Sequence, residues 1–294
     1  MRDATERAAL VALLRTGSQP WNMYADAVEQ RGSALAVLND EVAGRRPQAS
    51  LFADDADEIL SRAKADMRRW SERGMTLLTV IDEGYPENLR AVYDRPPFIF
   101  VAGGLQPADS RSIAVVGARL ASPQGVARAR AIAEHLVREG YVVASGLAAG
   151  VDTAAHTAAL ASGGRTIAVI GTGLDRAYPP ENAELQRRIA AQCAVISQFW
   201  PDSPPSRRSF PMRNAVMSGV SLATVVVEAS QTSGSRMQAR VALAHGRPVF
   251  LLESLLDQDW ARECAARPGA HVVRRPSDIT TVVERLTSSG ALVA

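Results

Sequence analysis

Apolar residues recur at three- and four-residue spacing over residues 4–15, 23–30, 33–39 and 56–72, which predicts four amphipathic helices at the start of the chain. Over residues 75–104 the pattern breaks into short β-rich runs separated by turn signals such as Tyr85-Pro86 and Pro96-Pro97. From Ser112 it changes again, to continuous apolar runs alternating with amphipathic stretches. Runs at 113–117, 141–145, 166–171, 194–199, 223–228 and 248–252 predict buried strands, with a shorter one at 271–273. Between them, residues 124–139, 152–162, 181–192 and 235–245 predict helices. Strands without polar alternation, each followed by a helix, are the signature of a parallel sheet covered on both faces. The expected fold class is α/β: an extended Rossmann-like, mostly parallel sheet with helices on both faces, over residues 75–294 with its core at about 111–285. A small helical domain over residues 1–74 is expected to precede it.

Composition narrows the function more than the fold. No run approaches the roughly 20 apolar residues that span a bilayer, and the start MRDATERAAL lacks the apolar core of a signal peptide, so a cytoplasmic protein without a membrane partner is expected. Cys193 and Cys264 are far apart and outside any C-x-x-C spacing, which indicates neither a zinc site nor a disulfide framework. No metal or cofactor is expected. A net charge of +2 makes the chain no polycation, so a nucleic-acid surface would have to come from local clustering of arginine. Lys64 is the one lysine and lies outside the α/β region. The acidic run Asp54, Asp55, Asp57 and Glu58 reads as charge at the start of a helix, favouring its dipole, rather than as a metal site.

In an open parallel sheet, ligands sit outside the carboxyl ends of the strands, where helices begin and expose backbone N–H groups. Four turns there are built of small residues. The first holds Gly117, Arg119 and Ser122; the second runs Ser145-Gly146-Leu147-Ala148-Ala149-Gly150-Val151-Asp152. The third holds Gly171, Gly173 and Asp175, and the last runs Ser230-Gln231-Thr232-Ser233-Gly234-Ser235. Small side chains let amides approach a phosphate closely, and hydroxyls add donors. One such turn has a steric explanation; four in one sheet point to phosphate binding. The G-x-x-x-x-G-K-[ST] loop and the G-x-G-x-x-G fingerprint are both missing, which disfavours a P-loop ATPase and an ordinary dinucleotide dehydrogenase.

Positive charge falls near these turns, at Arg119 and at Arg207, Arg208 and Arg213 in the segment PDSPPSRRSFPMRN. Arginine suits phosphate through its planar fork. Arg207 and Arg208 read equally as a solvated loop, whereas Arg213 and Asn214, placed at the start of a helix, are better candidates, and Phe210 offers a surface for a base to stack on. Asp152 reads as a helix cap or a ligand contact, and His156 as a hydrogen-bonding member of the supporting shell rather than a base. Asp175, Tyr178 and Asn182 build the turn before the next helix, and Glu228 at the end of an apolar run reads either as part of a site or as half of an ion pair.

These residues resemble the DNA-processing protein A (DprA/Smf) family. SGLAAGVDTAAHTAAL is similar to its S-G-x-A-x-G-[IV]-D-x-x-A-H-x-x-A-L element, GTGLDRAYPPEN to G-x-G-L-D-x-x-Y-P-x-x-N, and FPMRN to F-P-x-R-N. Upstream, DEGYPENLRAVYDRPPFIFVAGG is similar to the family's D-x-x-Y-P-x-x-L segment. The resemblance implies an extended Rossmann fold, a homodimer, single-stranded DNA in a basic pocket, and delivery of that DNA to a RecA-type recombinase in natural transformation. Departures occur at Ala149 and Ala215, where the family commonly has arginine, and at Arg236 and Gln238, where it commonly has an apolar residue and threonine. The leading expectation is a non-enzymatic single-stranded DNA binder. The alternatives are a nucleotide-binding sensor or nucleotide N-glycosidic hydrolase with Glu228 as acid or base, and a divergent paralogue acting through a partner, as in phage defence.

Overall fold

The computed structural model describes residues 2–45, 56–231, 233–290 and 292. They form two compact units, one reaching to Tyr85 and including Asp94–Ile99, the other built of Pro86–Tyr93 and the chain from Phe100 onward.

The smaller unit holds α1 (Arg2–Thr16), α2 (Trp21–Arg31), α3 (Ala34–Arg45), α4 (Ala56–Glu72) and β1 (Met75–Thr79). From Ala8 to Leu13 every residue of α1 is buried. A helix that is apolar all round has to be enclosed, and α3 and α4 pack on it. The turn after β1 is closed by Asp82, which accepts the N–H and hydroxyl of Thr79 at 2.7 and 2.8 Å and pairs with Arg7 at 2.7 Å. Asp57 and Glu58 sit in the first turn of α4, as a helix dipole favours, while Asp54 and Asp55 lie outside the described residues.

The larger unit contains α5 (Glu87–Arg90), β2 (Phe98–Gly103, whose first two residues belong to the smaller unit), β3 (Ser112–Val116), α6 (Pro123–Arg138), β4 (Val142–Ser145), α7 (Val151–Ala161), β5 (Thr166–Val169) and α8 (Ala183–Gln192). It continues with β6 (Ala194–Ser197), α9 (Ser209–Val220), β7 (Ala223–Val226), α10 (Gly234–Ala244), β8 (Val249–Leu252), α11 (Asp259–Ala265), β9 (Ala270–Val273) and α12 (Pro276–Ser288). Its sheet has the order β2-β6-β5-β4-β3-β7-β8-β9. β2 runs antiparallel to β6, and the pairs from β6 to β9 are parallel. β1 neighbours β2.

Every residue of β3 through β8 is buried, which is why those strands read as unbroken apolar runs. One core layer joins Ile113, Val143 and Phe250 of the sheet to Ile132 and Leu136 of α6 and Val283 of α12. Ala154, Ala155, Ala158 and Ala159 belong to the same layer and let α7 lie close against α6. A second cluster sets Ala168 and Val195 against Ile189 of α8.

Several regular strands end one or two residues before their apolar runs do. Ile170 and Val227, just past β5 and β7, stay buried and still donate to the neighbouring strands, at Ile196 O and Val116 O, both at 2.9 Å. The helix carrying Arg213 and Asn214 begins at Ser209, so these two lie in its second turn and are buried, not at its exposed start as the sequence suggests. Strand order reverses between β3 and β7: the chain runs outward from β3 through β4, β5 and β6, then returns to place β7 on β3's other side. Such a reversal leaves a crevice at the carboxyl ends of the two central strands.

Candidate functional site

A cavity of about 850 Å³ occupies that crevice. Gly117, Arg119 and Leu120 line it from the turn after β3, and Phe210, Arg213 and Asn214 from α9. Ser233, Gly234, Ser235 and Gln238 close it from the start of α10, and Asp152 contributes from α7. With Glu228, ten residues singled out from the sequence therefore share one cavity. Ser122, Ser145, Gly146, Gly150, His156, Gly171, Gly173, Asp175 and Asn182 do not line it, and their contacts explain why.

The first two turns interlock. A Cβ at Gly117 would strike the side chain of Val151, and one at Gly150 would fall on the carbonyl oxygens of Ala118 and Arg119. Gly150 also has φ +79°, and Val151 N–H donates to Ala118 O at 3.2 Å. Gly117 is thus demanded by the Val151 side chain and Gly150 by approaching backbone. Ser122 caps α6, its Oγ accepting Gly125 N–H at 2.9 Å and donating to Glu228 at 2.7 Å; Ser122 N–H reaches the same carboxylate at 3.1 Å. Glu228 is accordingly neither half of a buried ion pair nor an unengaged acid or base: it closes the N-terminus of α6 from the cavity wall.

In the second turn Ser145 donates to Val115 O at 2.6 Å. Gly150 takes the cap position of α7, and Asp152, expected there, instead reaches back to accept Gly146 N–H at 3.1 Å and Ala148 N–H at 3.2 Å. Burial pushes the Asp152 carboxyl above the usual carboxylate range, opposed by the Arg213 guanidinium and those two N–H groups. Asn182 donates to Leu147 O at 2.9 Å and steadies Leu147 at φ +55°. His156 is fully buried behind the turn, with Nδ1 2.7 Å from Thr166 Oγ1. Thr166 gives its one hydroxyl hydrogen to Val143 O at 2.6 Å, so His156 Nδ1 is the donor and Nε2 carries no proton. Burial lowers its pKa to about 3.

The third turn is tied elsewhere: Gly173 N–H donates to Ser203 O and Asp175 N–H to Pro201 O, both at 2.9 Å. Gly171 matters sterically, because a Cβ there would press on the Phe210 ring. The fourth turn is different. Ser233 caps α10, its Oγ 3.3 Å from Ser235 N and 2.5 Å from Ser235 Oγ, and a Cβ at Gly234 would meet nothing within 4 Å. Thr232 lies outside the described residues.

Two arginines divide the positive charge. Arg213 is buried, and its Nη1 donates to Gly146 O at 2.5 Å and Val169 O at 3.0 Å, so it ties α9 to the ends of β4 and β5. Burial lowers its pKa, with Asp152 opposing. Arg119 is exposed and lays its guanidinium 5.1 Å over the Phe210 ring, which itself sits 5.6 Å from Tyr178. Leu120 beside it is 96% exposed. A side cavity of about 180 Å³ lies among Arg119, Tyr178, Phe210, Gly146 and Gly171. Arg207 and Arg208 are exposed ahead of α9.

The sequence marks Tyr178 only as a turn residue, although it walls the side cavity, and Gln238 only as a departure from the family pattern, although it lines the main cavity. The signal for Gln238 was available: three residues beyond Ser235, it shares that residue's side of the helix.

Comparison with known proteins gives the arrangement a lineage. The chain is 42% identical over 208 residues to the DNA processing protein DprA of Streptococcus pneumoniae, covering 70% of this chain and 73% of that one. Its fold superposes on the crystal structure of DNA processing protein A from Streptococcus pneumoniae with a TM-score of 0.73 and 29% identity, over 92% of this chain and 95% of that one. A structure of DNA processing protein A from Helicobacter pylori, described for its single-stranded DNA binding mode, matches with a TM-score of 0.64 and 26% identity, over 72% and 96% of the two chains. Residues 76–284 match the DNA recombination-mediator protein A family, and the chain belongs to it.

Proposed function

We propose that this chain binds single-stranded DNA along the rim of the β3/β7 crevice. The carrying observation is the exposed Arg119 guanidinium stacked 5.1 Å over Phe210, with Tyr178 beyond it and Leu120 exposed alongside. A cation next to aromatic faces suits a strand whose phosphates need charge and whose unpaired bases need a surface to stack on. The similarity to a Helicobacter pylori protein described as a single-stranded DNA binder supports the same reading. Glu228 supports binding over hydrolysis, because its carboxylate is engaged with Ser122 rather than poised beside a second catalytic group. On this reading the chain is not an enzyme. Family membership further supports a cytoplasmic homodimer that protects the strand and hands it to a RecA-type recombinase.

Fluorescence anisotropy with a labelled oligonucleotide, repeated across salt concentrations, tests the proposal. Each phosphate contact contributes about −0.7 to the slope of log affinity against log salt for a single strand. Arg119→Ala is expected to weaken binding and flatten that slope by roughly one contact. Phe210→Ala should lose about 1–3 kcal/mol of stacking with the slope unchanged. Binding that is absent at low salt, or equal in both variants and the wild type, refutes the proposal.

A further inference from the structure

The α10 end of the large cavity holds a group that a strand on the Arg119 rim leaves unused. Gln238 lies in the cavity wall, 1% exposed, and among the described residues neither its Oε1 nor its Nε2 has a hydrogen-bond partner. A buried carboxamide with both ends unmet is costly, and such groups in folded proteins call for an explanation. Among the described residues no hydrogen bond tethers it in the cavity wall that it helps to form. Beside it α10, 11 residues long, opens with Ser233 as its cap. The space over Gly234 is open for 4 Å. The starts of α6 and α10 differ: α6 is closed by the Glu228 carboxylate, whereas α10 is capped by Ser233 alone and, among the described residues, a Cβ on Gly234 would meet nothing within 4 Å.

A phosphate alone would satisfy the helix start but leave the Gln238 carbonyl without a donor. The edge of a nucleobase offers a donor and an acceptor side by side, which a carboxamide matches with two bonds. We infer that this end of the cavity takes one nucleotide unit, its phosphate at the first turn of α10 and its base edge on Gln238. The inference rests on the single-strand reading and gives that site a means of discriminating bases. Stacking on Phe210 is tolerant of sequence; hydrogen bonding to Gln238 is not.

The test uses the full chain and two variants. Gln238→Leu removes both unmet atoms at similar volume, and Gly234→Leu fills the open space over the helix start. Probes are labelled homo-oligonucleotides of about 20 residues, an abasic backbone of equal length, and free deoxynucleoside monophosphates. The wild type is expected to prefer some bases, and Gln238→Leu to lose about tenfold on the preferred oligonucleotide while binding the abasic strand as the wild type does. Gly234→Leu should weaken the same preferred strand. Thermal unfolding is expected to be unchanged or raised in Gln238→Leu, whereas a structural role for the carboxamide would lower it. Monophosphates that compete in a Gln238-dependent manner identify a free nucleotide as ligand, and failure of competition with the strand preference intact identifies a unit within the strand. Wild-type strand binding with the same base preference in Gln238→Leu overturns the inference and spares the single-strand reading. A wild type that binds no strand but holds a monophosphate through Gln238 does the reverse.

Discussion

Removing Arg213 separates a structural tie from a DNA contact. Its guanidinium is buried and donates to Gly146 O and Val169 O, so Arg213→Ala strips two carbonyls of a donor. Leaving a buried carbonyl without its donor costs about 1–3 kcal/mol, so the two together cost about 2–6 kcal/mol. For a unit of this size each kcal/mol lowers the unfolding midpoint by roughly 2–4 °C, giving a fall of about 4–24 °C. Differential scanning calorimetry of the variant beside the wild type measures it. Strand affinity, taken at a temperature where both are folded, should keep the wild-type salt slope, because Arg213 Nη1 is already engaged with protein carbonyls. An unchanged midpoint combined with a flattened slope would refute the structural assignment and make Arg213 a phosphate contact.

Gly150→Ala is expected to destabilise by about 2–4 kcal/mol in chemical denaturation, since strain at positive φ alone costs about 1–3 kcal/mol and the added Cβ meets the Ala118 and Arg119 carbonyls. It should also weaken strand binding by displacing Arg119. His156 has a folded pKa of about 3, below its unfolded value of about 6.5. The unfolded chain therefore takes up the proton first, and stability is lost as pH falls below about 6.5 at up to about 1.4 kcal/mol per unit. Asp152, with its raised folded pKa, acts in the opposite direction, so the measurement is the difference in pH slope between wild type and His156→Asn: the wild type should be the steeper between about pH 6.5 and 5. Glu228→Gln removes a negative charge from the cavity wall and a carboxylate from the start of α6, so strand affinity at low salt should rise while stability falls by up to about 1 kcal/mol. Anisotropy titration and thermal melts check the pair, and weaker binding would contradict it.

The α/β class was readable because burial on both faces writes itself into a chain as unbroken apolar runs, and β3 to β8 are buried throughout. The site's location followed from the same pattern, since small residues clustered where strands end. What each small residue does was not readable. Gly150 looks like a phosphate-binding glycine in sequence, yet its need for positive φ and for the absence of a Cβ comes from the Ala118 and Arg119 carbonyls of another turn. Asp152 and Glu228 both look like candidate ligand or catalytic groups, yet Asp152 accepts hydrogen bonds from its own turn and Glu228 from the turn after β3. The Gly150 and Glu228 pairings join segments far apart in the chain, and no local spacing encodes them. Gln238 was hidden for the opposite reason: a glutamine on a helix is ordinary until its surroundings show that nothing meets its amide.

On the single-strand reading, the four small-residue turns are therefore not expected to contribute equally to anion binding. The second has Gly146 and Ala148 amides bound to Asp152; the third has Gly173 and Asp175 amides bound to the loop after β6. The first closes the α6 start with Glu228 but projects Arg119 outward, and the fourth leaves space open over α10. On the proposed reading, the amides of turns two and three are taken up within the protein, and attraction for a phosphate is expected to fall to Arg119 at the rim and the α10 start within. This division makes a sharp demand on the salt dependence. A strand held at four equivalent turns would release counterions at each, whereas a strand held at two gives a slope near −1.4 at about −0.7 per contact, about half of which should vanish with Arg119→Ala. A slope twice as steep in the wild type, little altered by that substitution, would show that the inward hydrogen bonds of turns two and three open when DNA arrives.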